Sequence, residues 1–79
     1  MIVRVVSAIG GGVVDVDVPE TSTVNDVKNL VANEKKIPAT TVLLVFRGKQ
    51  LQDSEILSEA GIGPYDKVYL ITRTEGGHD

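Results

Sequence analysis

The 79 residues predict a two-layer α+β domain in which one helix covers one face of a β-sheet. Three patterns carry this expectation. Residues 2–9 and 13–18 are valine-rich runs with a period of two, separated by Gly10-Gly11-Gly12. Residues 24–34 place Val24, Val27 and Val31 at i, i+3 and i+7, the spacing of a helical face. Residues 42–46 and 67–72 are short apolar runs bounded by turn residues, as strands are.

In the first run Val3 and Val5 share one face, while Ile2, Arg4 and Val6 take the other. Glycine tolerates the positive φ that tight reversals require, so the triple glycine predicts a hairpin. Its return strand sets Val14, Val16 and Val18 inward and Asp15 and Asp17 toward water, and Pro19 ends it by removing a ladder donor. Thr23 is a helix N-cap, with Asp26 as a short version of the capping-box acid. Leu30 is expected to lie beside the valine stripe on the buried face. Lys35 and Lys36 suit the negative C-terminal end of the helix dipole, and Pro38 forbids continuation. After the strand at 42–46, Arg47-Gly48 turns the chain into a short partner strand at 49–51. Residues 53–60 are polar around Ile56 and Leu57, a loop with one helical turn. Gly61, Gly63 and Pro64 precede the last strand, 67–72.

Strand parity then has a functional consequence. Val68 and Leu70 point one way, Tyr69 and Ile71 the other; Leu44 and Val45 are likewise opposed. One helix covers one face only. Some of Leu43, Val45, Tyr69 and Ile71 must therefore stay on the open side, where contiguous exposed apolar area marks a contact site.

Composition excludes several classes. Eight Lys plus Arg against eleven Asp plus Glu give a net charge of -3, against nucleic acid as the main partner. At 42% hydrophobic the chain can build a core, and no apolar run approaches the roughly 18 residues of a membrane span. The first segment lacks a basic cluster and a cleavage site, so no secretory signal is expected and the location is the cytoplasm. Without Cys there is no thiolate zinc site or thiol nucleophile. His78, the single histidine, sits in a polar tail beside Asp79 and cannot supply a ligand set. Asp15, Asp17 and Glu20 are a solvated face, and the triple glycine lacks the Lys-Ser/Thr of a phosphate loop. The expectation is a monomer that is not an enzyme and holds no cofactor or metal.

Residues 1–73 are expected to form the domain and 74–79 a mobile tail. In that tail Gly76-Gly77 lacks side chains, so it fits a narrow enzyme channel, and a carboxylate freed after Gly77 would be unhindered.

Several stretches, in order and with nearly constant spacing, resemble the ubiquitin family. They are Thr23-Val24-Asn25-Asp26-Val27-Lys28, Ile37-Pro38, Leu44-Val45-Phe46-Arg47-Gly48-Lys49-Gln50-Leu51-Gln52-Asp53, Leu57-Ser58 and Arg73-Thr74-Glu75-Gly76-Gly77. The Phe-x-Gly-Lys-x-Leu stretch together with a terminal Gly-Gly is the specific part. The triple glycine and the Ile71-Thr72-Arg73-Thr74 ending look most like the archaeal ubiquitin-like modifiers.

The resemblance implies a β-grasp fold, a mixed sheet of four to five strands on one helix, and a covalent protein modifier. Gly77 would be the acyl donor, Gly76 its flexible neighbour, and His78-Asp79 an extension removed by a processing metalloprotease. The implied partners are an activating enzyme, which supplies the ATP chemistry, a conjugating enzyme, a ligase, target-protein lysines and the proteasome. The docking patch would comprise Val45 and Ile71 with Ile9 or Ala8 in the hairpin and the neighbouring Tyr69; Arg73 would contact the activating enzyme, and Lys49 is a better chain acceptor than Lys28. Glu75 reverses a charge the family carries there, which implies dedicated cognate enzymes. Two other functions remain open at this point: a sulfur carrier ending in a thiocarboxylate, and a non-covalent docking domain.

Overall fold

The computed structural model describes residues 1–8 and 11–72. Ile9, Gly10 and residues 73–79, the expected tail among them, lie outside the described residues.

The hairpin forms as its alternation requires. Strand β1 (Ile2–Ser7) pairs antiparallel with β2 (Val13–Asp17), Val3 opposite Val16 and Val5 opposite Val14. Gly11, at φ +71°, takes the left-handed conformation that closes the reversal. Val18 lies beyond β2, but its N–H still donates to the Met1 carbonyl at 2.9 Å, and Pro19 then ends the pairing.

Helix α1 (Val24–Lys35) starts on a complete capping box. The Thr23 hydroxyl accepts from the Asp26 N–H at 3.3 Å, and the Asp26 carboxylate accepts from the Thr23 N–H at 3.2 Å. The helix runs one residue past the expected end, because Lys36 adopts a left-handed C-cap (φ 59°) and donates to the Ala32 and Asn33 carbonyls. Val24, Val27 and Val31 are fully buried as expected, but Leu30 is 45% exposed and does not join them. At about 100° per residue it lies about 60° beyond Val27, outside the arc that Val24, Val27, Lys28, Val31 and Ala32 bury.

A 3-10 turn at Ala39–Thr41, which the sequence reading missed, follows Pro38 and delivers the chain into β3 (Val42–Phe46). Arg47 and Gly48 both have positive φ (54° and 80°), the two-residue reversal that matches strand twist. They lead into β4 (Lys49–Gln50), one residue shorter than expected, although the Leu51 N–H still reaches the Leu44 carbonyl at 2.8 Å. The long connection contains the expected single turn, where Ala60 N–H donates to the Ile56 carbonyl at 2.9 Å. It is pinned to the start of α1: Ile56 bridges Thr23, and the Val24 and Asn25 N–H groups donate to the Glu55 and Asp53 carbonyls. Strand β5 (Lys67–Thr72) completes the sheet.

The strand order is β2-β1-β5-β3-β4. Strands β1 and β5 are parallel, the other neighbouring pairs antiparallel. One helix on one face of this mixed sheet is the β-grasp arrangement. The core between them holds Val3, Val5, Val24, Val27, Val31, Val42, Leu44, Leu57, Val68 and Leu70, each at most 1% exposed.

Candidate functional site

The strands dictate what the uncovered face presents. Register sets Val13, Val6, Tyr69, Val45 and Gln50 side by side across all five strands. Ile71 lies opposite Leu43 in the next row of the same face. Val13 is 55% exposed, Tyr69 46% and Ile71 39%; Val6, Leu43 and Val45 are half-buried. The expected patch residues Val45, Tyr69 and Ile71 are thus together on one face. Their expected companion Ile9 lies outside the described residues. Val6 and Val13 were missed as members of this row, although the alternation that turns Val5 inward turns Val6 outward.

Two positions along the same strands from the apolar row, on the same face, stands a charged row: Asp15, Arg4 and Lys67. Arg4 Nε donates to Asp15 Oδ1 at 3.1 Å, and its Cζ lies 5.9 Å from the Tyr65 ring centre.

The lysines separate by environment. Lys49, the expected chain acceptor, is exposed opposite Phe46 at the β3–β4 turn, with no ion pair among the described residues. Lys28 belongs to the buried arc of α1, and its side chain is only 11% exposed. Its Nζ donates to Asp53 Oδ1 at 2.7 Å, so this amine is occupied and screened. The Met1 amine donates to the Val18 carbonyl at 2.8 Å and lies 3.4 Å from Asp17 Oδ1.

A shallow cleft of about 340 Å³ is lined by Lys28, Leu43, Gln50, Leu51, Gln52, Asp53 and Ser54, without a histidine or cysteine. Among the described residues no three His, Asp or Glu side chains gather as metal ligands would, and no helix is long and apolar enough to cross a membrane. Arg73, Gly76, Gly77, His78 and Asp79 lie outside the described residues.

Comparison with known proteins places these features. The Ubiquitin family model matches residues 3–75. Ubiquitin-like protein 4A of Danio rerio is 40% identical over 62 residues, 78% of this chain and 40% of its own length. The Homo sapiens protein of that name is 35% identical over 68 residues, 86% of this chain and 43% of its own length. The chain therefore spans less than half of these curated relatives. The solved structure of Caldiarchaeum subterraneum ubiquitin superposes with a TM-score of 0.88 at 40% identity, covering 98% of each chain. With a family match over nearly its whole length and a solved ubiquitin superposing on 98% of it, the chain belongs to the ubiquitin family.

Proposed function

We propose that the chain is a ubiquitin-like protein modifier, processed after Gly77 and joined through the Gly77 carboxylate to lysines of target proteins. The observation that carries this reading is a Gly-Gly pair whose second member, Gly77, comes five residues after Thr72, the end of a ubiquitin-like body. Five residues extend at most about 17 Å, enough to carry an acyl group away from the sheet into an enzyme channel.

The chemistry needs no catalytic group on this chain. A processing metalloprotease hydrolyses the Gly77–His78 bond and frees the carboxylate. An activating enzyme joins that carboxylate to the α-phosphate of ATP with release of pyrophosphate, and its own thiol then displaces AMP. The thioester passes to a conjugating enzyme, and with a ligase a target lysine amine displaces the thiol to form an isopeptide bond. Arg73 is the contact for the activating enzyme, as a bidentate donor to a carboxylate. The open face, with Val45, Tyr69 and Ile71, is where partners dock, and Ile9 is their proposed companion. Lys49 is the chain acceptor, because the Lys28 amine is held by Asp53.

Reconstitution tests the reading. Chain ending at Gly77, incubated with ATP and the activating and conjugating enzymes of its own source, is expected to form a thioester and to add about one modifier mass to targets. Failure to form the thioester, with enzymes active on another substrate, refutes conjugation.

One observation favours a second reading. The curated relatives are more than twice as long as the segment matched here, so a ubiquitin-like body also occurs as part of a larger protein. A non-covalent docking role predicts unchanged function on Gly77→Ala and lost function on Val45→Asp; the modifier role predicts that both matter.

A further inference from the structure

We propose that Arg4 and Lys67 extend the open face into a bipartite surface for an acidic segment of a partner protein. The segment seats an apolar side chain on the Val6–Tyr69–Val45 row and a carboxylate on the Arg4–Lys67 pair. The proposal rests on the open face being a docking surface and adds the chemistry of what docks.

Arg4 and Lys67 are direct partners on the parallel β1–β5 pair, on strands about 4.8 Å apart. Like charges placed opposite one another on a sheet are unfavourable. The arrangement is conspicuous on a chain of net charge -3, whose acids outnumber its bases. Asp15 relieves that repulsion on the Arg4 side only, and an anion bridging Arg4 and Lys67 would add a counter-charge for the lysine.

The neighbouring groups orient Arg4, and Asp15 offsets its charge while Lys67 keeps its own, so the strip stays net positive. Arg4 spends its Nε on Asp15 and lies near the Tyr65 ring, which together orient the guanidinium. Arg4 makes no other side-chain hydrogen bond among the described residues, so its two terminal nitrogens are left for a carboxylate. Lys67 is exposed and has no ion pair among the described residues. Asp66, next to it in the chain, turns its Oδ2 to the Gly63 N–H at 2.7 Å. Tyr65 is 59% exposed beside Arg4, and Tyr and Arg are the residue types that dominate interface hot spots.

The spacing defines the segment. From Val6 to Arg4, and from Tyr69 to Lys67, is two residues of strand, about 6.6 Å, on one face. An extended peptide with an apolar residue at i and a carboxylate at i+2 has the same step. A nucleic acid fits less well: Asp15 beside Arg4 and the net negative charge oppose a polyanion, which is gathered by many cations rather than two.

The test is an NMR titration of the ¹⁵N-labelled full chain at low salt with two synthetic peptides. One has leucines each followed two residues later by glutamate, and its twin has glutamine in place of glutamate. The glutamate peptide is expected to shift the amides of Arg4, Tyr65 and Lys67 together with those of Val6, Val45 and Tyr69. The glutamine twin should bind about three- to tenfold more weakly, the range two partly exposed charge pairs supply. Lys67→Gln, checked for an undisturbed spectrum, should shrink that preference, and Val45→Asp should abolish binding of both peptides. Equal affinity for the two peptides overturns the role of Arg4 and Lys67 but leaves the docking face standing. Peptide binding that Val45→Asp does not weaken, or no binding of either peptide, overturns the docking face and the proposal with it. A single-stranded oligonucleotide that binds this strip more tightly than the glutamate peptide replaces the acidic partner with a nucleic acid.

Discussion

The Lys28–Asp53 pair predicts an asymmetry between its two members. Lys28 Nζ lies 2.7 Å from Asp53 Oδ1, but the lysine side chain is 11% exposed and the aspartate 59%. In Asp53→Ala the ammonium loses its acceptor where little water reaches it. A hydrogen bond to a charged group is worth about 1.5 to 3 kcal/mol, and a fully buried pair costs about 3 to 5 kcal/mol when broken. With Asp53 more than half in solvent the lower range applies, about 1.5 to 3 kcal/mol. In Lys28→Met the apolar stem keeps its packing and the freed carboxylate hydrates, so the change should stay within about 1 kcal/mol. Urea unfolding followed by far-ultraviolet circular dichroism measures both variants, with unchanged m-values as the condition for comparison. For a domain of this size the Asp53→Ala loss corresponds to a drop in Tm of about 6 to 20 °C. A Lys28→Met variant destabilised as much as Asp53→Ala would refute the reasoning. It would mean that the cation contributes stability of its own, rather than needing a partner to be tolerated.

Leu70→Ala should cost about 2 to 5 kcal/mol in the same assay and the adjacent Ile71→Ala under about 1 kcal/mol, because the first residue is 1% exposed and the second 39%. Thr23→Ala removes the hydroxyl half of the capping box and should lower stability by about 0.5 to 2 kcal/mol. Val45→Asp should leave the fold intact, since Val45 faces away from the core, while abolishing partner binding in pull-down or titration. Gly77→Ala should block thioester formation without moving the urea midpoint, because the buried cluster of the described residues ends at Leu70.

Most of this architecture was legible because it depends on period. Apolar runs bounded by turn residues placed β3 and β5 at the residues that form them, and alternation separated Leu70 from Ile71. The capping box was legible because it needs only two residue types at one spacing. Leu30 was misassigned because adjacency to Val31 in the chain means little on a helix, where one step is about 100°. The Lys28–Asp53 contact was invisible: the partners are 25 residues apart, and nothing local in Asp53 says which cation the loop will bring to it. The 3-10 turn at Ala39–Thr41 was missed for a related reason. Its hydrogen bond, from Thr41 N–H to the Pro38 carbonyl at 3.1 Å, is a choice made by the path between α1 and β3 rather than by composition. Of the open face, Val45, Tyr69 and Ile71 followed from parity. Arg4 beside Lys67 did not, because which strands become neighbours is a property of the sheet order.

An open apolar sheet face risks uncontrolled association, and the edges of this sheet show how that risk is limited. Edge strand β2 carries Asp15 and Asp17 on the face it shares with the patch, and charged edges resist pairing with another strand. The other edge, β4, is only two residues long and consists of Lys49 and Gln50, too short to template a ladder. Tyr69 and Ile71 lie on β5, the central strand, with paired backbone on both sides. A second copy therefore gains little from backbone pairing, and what the molecule offers is side-chain recognition over its middle strands. Such a face can stay uncovered in the free protein and still be specific: in the proposed complex the apolar row supplies contact area, and the charges of Arg4 and Lys67 select the segment.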